Sequence, residues 1–134
     1  MTMNDWSKVG GIPVSMAEAS PYVEDFTTAS RAVAHRLGHP RWSLAYQSRS
    51  GRPEDHWLGP DVNDVLTSLA ADGERHAVVV PIGFVCDHVE VLHDLDVEAA
   101  ETASAHGLTF HRTPTVSDHP AFIAALADIV KNVS

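Results

Sequence analysis

The segment from residue 84 to residue 98, FVCDHVEVLHDLDVE, decides how this chain is interpreted. It places Glu90, Asp94 and Glu98 four residues apart and contains no Lys or Arg. On a helix, side chains four residues apart share a face, and like charges at that spacing repel each other. We therefore expect a helix carrying a column of carboxylates, called the acid column below, whose charge a cation would compensate. The spacing alone is also compatible with three acids that lie on a solvent-exposed face of the helix and bind no cation.

The residues just before this segment predict where the acid column lies in the fold. Residues 77–83, AVVVPIG, are typical of a buried strand that ends in a turn. A strand, a turn and then a helix place the start of that helix at the carboxyl edge of a parallel sheet. Open α/β folds bind their ligands at this edge.

The rest of the chain alternates helical and strand patterns. Helices are predicted over residues 20–37, 61–73, 87–105 and 119–130, and strands over residues 41–48, 76–82 and 108–112. This order predicts an α/β fold of three layers, α/β/α, with a small parallel sheet. We expect residues 1–11 to be a poorly ordered lead-in and residues 12–134 to be one domain.

Composition and charge narrow the classes of function. Eighteen acids against nine bases give a net charge of −9, which argues against nucleic acid or an anionic membrane surface as partner. No apolar run approaches the length of a membrane span, and the first residues lack the pattern of a signal peptide. The single Cys86 excludes a disulfide framework and favours a cytoplasmic location.

Three blocks of this sequence resemble the ferrochelatase family, whose members insert ferrous iron into a porphyrin. The first block combines VPIGFV at residues 80–85 with DHVEVL at residues 87–92 and DLD at residues 94–96. The others are YQSRSG at residues 46–51 and WLGPDV at residues 57–62. Their order and spacing are similar to those in the C-terminal half of a bacterial, actinobacterial-like ferrochelatase.

The resemblance implies a chelatase-like fold and a role in heme biosynthesis, with ferrous iron and coproporphyrin III or protoporphyrin IX as substrates. It implies that Glu90 faces the porphyrin centre as proton acceptor and metal ligand, and that Asp94 and Glu98 lead the cation inward along a π-helix. Trp57 would stack on the porphyrin as a wall of the pocket, although it could equally be a loop anchor. Ser48 and Arg49 follow the carboxyl end of a predicted strand, where polar groups often meet a ligand, and we expect them to contact the porphyrin. Arg49 could equally neutralise the nearby Glu54 and Asp55. Some relatives bind an iron–sulfur cluster through several cysteines, and one cysteine cannot do this.

Two departures from the family pattern leave the activity of this chain open. Gly10 stands where the family has its catalytic histidine, and nothing corresponds to the N-terminal domain. The chain is therefore expected to be a truncated ferrochelatase, a half-enzyme that pairs with itself or with a separate N-terminal half, or a non-catalytic module that binds divalent metal or a tetrapyrrole. His93 stands where relatives usually have Tyr, and it either adds an imidazole to the acid column or is an inert surface residue.

Overall fold

The structure, a computed structural model, describes residues 5–10, 20–47 and 58–133, and for residues 5–10 the backbone alone. Its strands are β1 (Asp5–Gly10), β2 (Trp42–Tyr46), β3 (His76–Val80) and β4 (Thr109–Arg112). Its helices are α1 (Tyr22–Leu37), α2 (Val62–Ala71), α3 (Val89–Val91), a π-helix (Leu92–Ala99), α4 (Ala100–Ala105) and α5 (Pro120–Val133). The predicted alternation of helices and strands is confirmed from α1 to α5.

The four strands form one parallel sheet in the order β2-β1-β3-β4. The prediction of three strands, with residues 1–11 as a poorly ordered lead-in, is wrong for Asp5–Gly10. This segment pairs with β2 on one side and with β3 on the other. Its sequence, DWSKVG, is neither apolar nor alternating. A central strand gains a ladder of backbone hydrogen bonds along both edges, and this gain does not depend on the hydrophobic pattern.

The helix ends follow local signals in the sequence. Gly38 ends α1 in the left-handed conformation, with φ of 65°, which glycine adopts at little steric cost. Asp61 begins α2 as predicted, because its side chain accepts a hydrogen bond from the backbone N–H of Asn63. None of the helices in the described part of the chain is long and apolar enough to span a bilayer.

The helices α3, π and α4 follow one another without interruption from residue 89 to residue 105, and we call them together the acidic helix. The π-helical stretch that the family resemblance implied is therefore present. The acidic helix packs against α2, and the two contribute most of the core. This core comprises Ala45, Val62, Leu66, Leu69, Ala77, Val79, Val91, Leu95, Ala99, Ala103 and Leu108.

We predict that Leu95→Ala lowers the free energy of unfolding by about 2–5 kcal/mol, because Leu95 is fully buried and truncation leaves a cavity. Leu92→Ala is the matched control, since Leu92 is 42% exposed on the same helix and should cost about 1 kcal/mol or less. Urea unfolding followed by circular dichroism measures both. Equal losses in the two variants would mean that the helix does not present Leu95 to the core.

Candidate active site

The candidate site begins where the carboxyl ends of β1 and β3 lie side by side. The chain passes from β1 to β2 on one side and later adds β3 on the other side, so the strand order reverses between β1 and β3. A crevice at such a reversal is the usual ligand position in open α/β sheets. Gly10 ends β1 at this edge, and Pro81 follows β3 there before the turn into the acidic helix.

A buried stripe along the acidic helix sets the orientation of the acid column. Val91, Leu95, Ala99 and Ala103 are four residues apart and fully buried. A repeat of four exceeds the 3.6 residues of an α-helical turn, whereas a π-helix has a wider turn. The acidic helix contains both α-helical and π-helical turns. Residues four apart along it therefore stay on the side that faces the core. Each member of the acid column directly precedes a buried residue, so the column runs along one flank of the stripe.

Within the described residues, the acidic helix brings one histidine and two acids of the column together. His93 Nδ1 lies 3.4 Å from Asp94 Oδ1 and 3.9 Å from Glu98 Oε1. One ligand atom from each of the three side chains falls within 4.8 Å of the others. Imidazole nitrogen together with carboxylate oxygen suits divalent first-row cations such as ferrous iron. We call His93, Asp94 and Glu98 the cation group.

Burial differs across the cation group. The side chain of Asp94 is 15% exposed, whereas those of Glu98 and His93 are 45% and 60% exposed. Asp94 is therefore the most buried member of the cation group, whereas Glu98 and His93 are accessible to solvent. A hydrated cation can approach from the side of Glu98 and His93 and exchange its water for protein ligands.

Glu90, the predicted proton acceptor, lies in α3 and is exposed. It is not a member of the cation group that the described residues form. Its place in the first turn of the acidic helix puts it closest to the sheet edge of the three acids in the column. A carboxylate accepts protons near neutral pH when burial or neighbouring charge favours its neutral form. For Glu90, such burial would come from outside the described residues.

Arg112 pairs with acids that lie outside the acid column. Its Nε and Nη2 donate to the two carboxylate oxygens of Asp96 at 2.7 and 2.6 Å, and its Nη1 donates to Asp87 Oδ1 at 2.6 Å. The Arg112 side chain is 12% exposed. The hydrogen bond with Asp96 is the main cause that raises the pKa of Arg112 above its usual value, against the lowering effect of burial. Two of the acids around the helix are thus neutralised by the protein itself.

The other residues predicted for the site have different outcomes. Ser48, Arg49 and Trp57 lie outside the described residues, so their porphyrin contacts stay predictions. His88 is half-buried, and its ring meets the ring of Phe84 edge-on with centroids 5.1 Å apart. This packing indicates a structural role for His88.

Sequence reasoning missed the role of Arg112 and left that of His93 open. Arg112 is the last residue of β4, and β4 pairs with β3, which leads into the acidic helix. A basic residue at the end of the strand beside the acidic segment was the available signal. For His93, the sequence contained no comparable signal, because its approach to Glu98 depends on the width of the helical turn.

The structural comparison identifies the class of fold. The structure of a putative cobalamin (vitamin B12) biosynthesis CbiX protein from Marinobacter aquaeolei is similar over 96% of this chain and 93% of that chain, with a TM-score of 0.67. The sequences are 16% identical, so the likeness concerns the fold. The α/β fold with a small parallel sheet is therefore the chelatase-like fold that the sequence predicted.

The sequence comparisons identify the family. The ferrochelatase family model matches residues 9–134, and the chain belongs to this family. It is 47% identical over 128 residues to the coproporphyrin III ferrochelatase of Propionibacterium freudenreichii, covering 89% of this chain and 36% of that protein. It is 43% identical over 134 residues to the coproporphyrin III ferrochelatase of Streptomyces griseus, with the same coverage. The chain thus spans little more than a third of the length of these relatives.

We predict that the double variant Asp94→Asn, Glu98→Gln binds Co²⁺ at least about tenfold more weakly than the wild type, equivalent to about 1.4 kcal/mol. The variant removes two anionic ligands from the cation group. Isothermal titration calorimetry measures the affinity.

The matched control is Asp64→Asn, Asp72→Asn, which removes the same charge from exposed positions in and after α2. This control should bind Co²⁺ as the wild type does. Equal weakening in both double variants would mean that the cation responds only to the net charge of the chain and has no site in the cation group.

Proposed function

We propose that this chain serves ferrochelatase-type insertion of ferrous iron into a porphyrin in heme biosynthesis, and that it contributes the half of the active site that carries the acid column. The observation that carries this proposal is the presence of the complete acid column on a chain of the ferrochelatase family. Coproporphyrin III is the porphyrin we favour over protoporphyrin IX, because two of the relatives bear its name. The location would be the cytoplasm.

The proposed reaction exchanges a divalent cation for two pyrrole protons. The cation group would take ferrous iron from water through Asp94, Glu98 and His93, and the column would pass it toward Glu90 at the sheet edge. As the iron forms bonds to the porphyrin nitrogens, the two protons leave the macrocycle. Glu90 would accept these protons and release them to solvent, because a carboxylate at this edge can exchange protons repeatedly.

The porphyrin would lie across the carboxyl edge of the sheet. Trp57 would stack on its face, since a large aromatic ring offers a broad apolar surface to the macrocycle. Arg49 would pair with a propionate, because guanidinium binds carboxylates through two parallel hydrogen bonds, and Ser48 would add a hydrogen bond.

Several observations support the need for a second half. The relatives are almost three times as long as the matched stretch, Gly10 offers no imidazole, and Glu90 is exposed. In addition, α5 has no buried residue, although an apolar stripe runs along it. The stripe residues are 44–84% exposed and comprise Ile123, Leu126, Ile129, Val130 and Val133. A helix of 14 residues is marginally stable in water without tertiary packing.

We infer that an N-terminal half of the kind present in the relatives covers α5, and that a second copy of this chain does not. The family match extends to residue 134, so α5 is part of what the relatives share with this chain. In the relatives, the additional two thirds of the chain are available to pack against that helix. The net charge of −9 opposes the pairing of two identical chains.

A second candidate function is a non-catalytic module that binds divalent metal or a tetrapyrrole. Gly10 favours this candidate. A site without the opposing histidine can still hold a cation, but it lacks one of the groups that complete metal insertion. The two functions differ in whether bound porphyrin becomes metallated.

We predict that, under anaerobic conditions and without a second half, the chain metallates coproporphyrin III with ferrous iron only slowly but faster than the protein-free reaction, and that Glu90→Gln abolishes the difference. Removal of the carboxylate eliminates the proton acceptor. Glu101→Gln is the matched control, because Glu101 is an exposed acid at the other end of the acidic helix and should leave the rate unchanged. Porphyrin absorbance follows the reaction.

Two results of this assay would argue against an insertion activity of the chain alone. A shifted porphyrin spectrum without metallation would favour the binding module. If the porphyrin spectrum does not shift and no metallation occurs, the chain acts only together with a second half.

We predict that Ile129→Asp changes the free energy of unfolding by no more than about 0.5 kcal/mol, because the side chain is 60% exposed. The same variant should prevent co-purification with the N-terminal portion of the Propionibacterium freudenreichii relative after co-expression. Ala124→Asp lies on the opposite side of α5 by helical spacing and is the control. The wild type could instead give twice 14.5 kDa by light scattering, and Ile129→Asp the monomer mass. This result would mean that the stripe mediates self-association of the chain.

A further inference from the structure

Arg112 connects three parts of the fold that meet beside the candidate site. It ends β4, it binds Asp87 in the turn before the acidic helix, and it binds Asp96 within the π-helix. A fourth hydrogen bond, of 3.3 Å, joins Nη1 to the carbonyl oxygen of Thr113. Neither the composition nor the ferrochelatase resemblance suggested a role for this residue.

The geometry of the pair with Asp96 is the strong form of an arginine–carboxylate contact. Two nitrogens of the guanidinium donate to the two oxygens of one carboxylate, at 2.7 and 2.6 Å. Such a pair fixes the direction of both planar groups as well as their distance. At 12% exposure, the arginine side chain is also better shielded from solvent than in a surface ion pair.

The position of Asp96 links this contact to the acid column. Asp94 and Asp96 lie on either side of the buried Leu95, so one acid faces the cation group and the other faces Arg112. The π-helical turn is intrinsically rare and needs support from its surroundings. Asp96, which has this partner, lies halfway along the π-helix Leu92–Ala99.

The ion pairs of Arg112 also separate the acids of the acidic helix and its preceding turn into two sets. Arg112 is the only Lys or Arg that ion-pairs with the acidic helix or its preceding turn among the described residues. It neutralises Asp87 and Asp96 and thereby removes them as competing cation ligands. The cation group, in contrast, contains Asp94 and Glu98 from the acid column together with His93.

We propose that Arg112 is a positioning residue for the iron site: by binding Asp87 and Asp96 together, it holds the π-helical turn that brings Asp94 and Glu98 to His93. This inference rests on the proposed function, since it concerns the site through which ferrous iron would enter. Arg112 itself touches neither the cation nor the porphyrin. Its effect reaches the site through the helix.

The test compares Arg112→Gln with Arg41→Gln in the full chain. Arg41 also pairs with one acid, Glu74, at 2.5 Å, and this pair lies away from the acidic helix, so its loss controls for the loss of an ion pair. Amide hydrogen exchange of residues 92–99 and Co²⁺ affinity are measured for each variant. We expect Arg112→Gln to expose these amides to faster exchange and to weaken Co²⁺ binding about 10- to 100-fold, as for groups that orient metal ligands. Arg41→Gln should change neither quantity.

Two further variants separate positioning from general stability. Asp96→Asn keeps the shape of the partner but weakens the bidentate pair, and it should reproduce the loss of Co²⁺ affinity even if Arg112→Gln fails to fold. Arg112→Lys keeps the charge, but an ammonium group cannot bridge both acids in this geometry, so it should restore stability more than Co²⁺ affinity.

Unchanged exchange and unchanged Co²⁺ affinity in a folded Arg112→Gln or Asp96→Asn variant would overturn the proposal. Full recovery of affinity in Arg112→Lys would also overturn it, because charge alone would then suffice. Both readouts are independent of iron insertion. A chain that binds Co²⁺ in this way but does not support porphyrin metallation even together with an N-terminal half would contradict the proposed function and leave the role of Arg112 standing.

Discussion

The division of negative charge along the acidic helix is the constraint on which the site depends. Six acids occur between residues 87 and 101 without an intervening Lys or Arg. One largely buried guanidinium, supplied by β4, neutralises Asp87 and Asp96. The opposite flank of the buried stripe keeps its carboxylates close to an imidazole. One side of the helix is therefore fixed to the protein by ion pairs, and the other side carries the imidazole and the two carboxylates of the cation group.

The local features of the fold could be predicted from the sequence. Gly38 and Asp61 mark helix ends through their own backbone and side chain, and the repeat of four residues along the acidic helix is visible in the order of its residues. β1 could not be predicted, because its place in the sheet depends on pairing with strands that follow far along the chain. Arg112 was missed for the same reason, since its partners lie 16 and 25 residues away.

We propose that the described residues form one wall of the site. The predicted metal ligands lie on a single helix, and Glu90 at the sheet edge is exposed. The ferrochelatase relatives extend far beyond the matched stretch, and the exposed stripe of α5 offers an apolar surface on which such an extension can pack. The fold and the cation group are thus properties of this chain, whereas efficient insertion is proposed to require a second half.

We infer that the cation group, His93, Asp94 and Glu98, binds a divalent cation. Anomalous diffraction from crystals of the chain soaked in Co²⁺ tests it most directly. We expect a peak within coordination distance of all three side chains and none between Asp87 and Asp96, where Arg112 already neutralises the acids. A peak elsewhere on the acidic helix, or no peak at all, would contradict it.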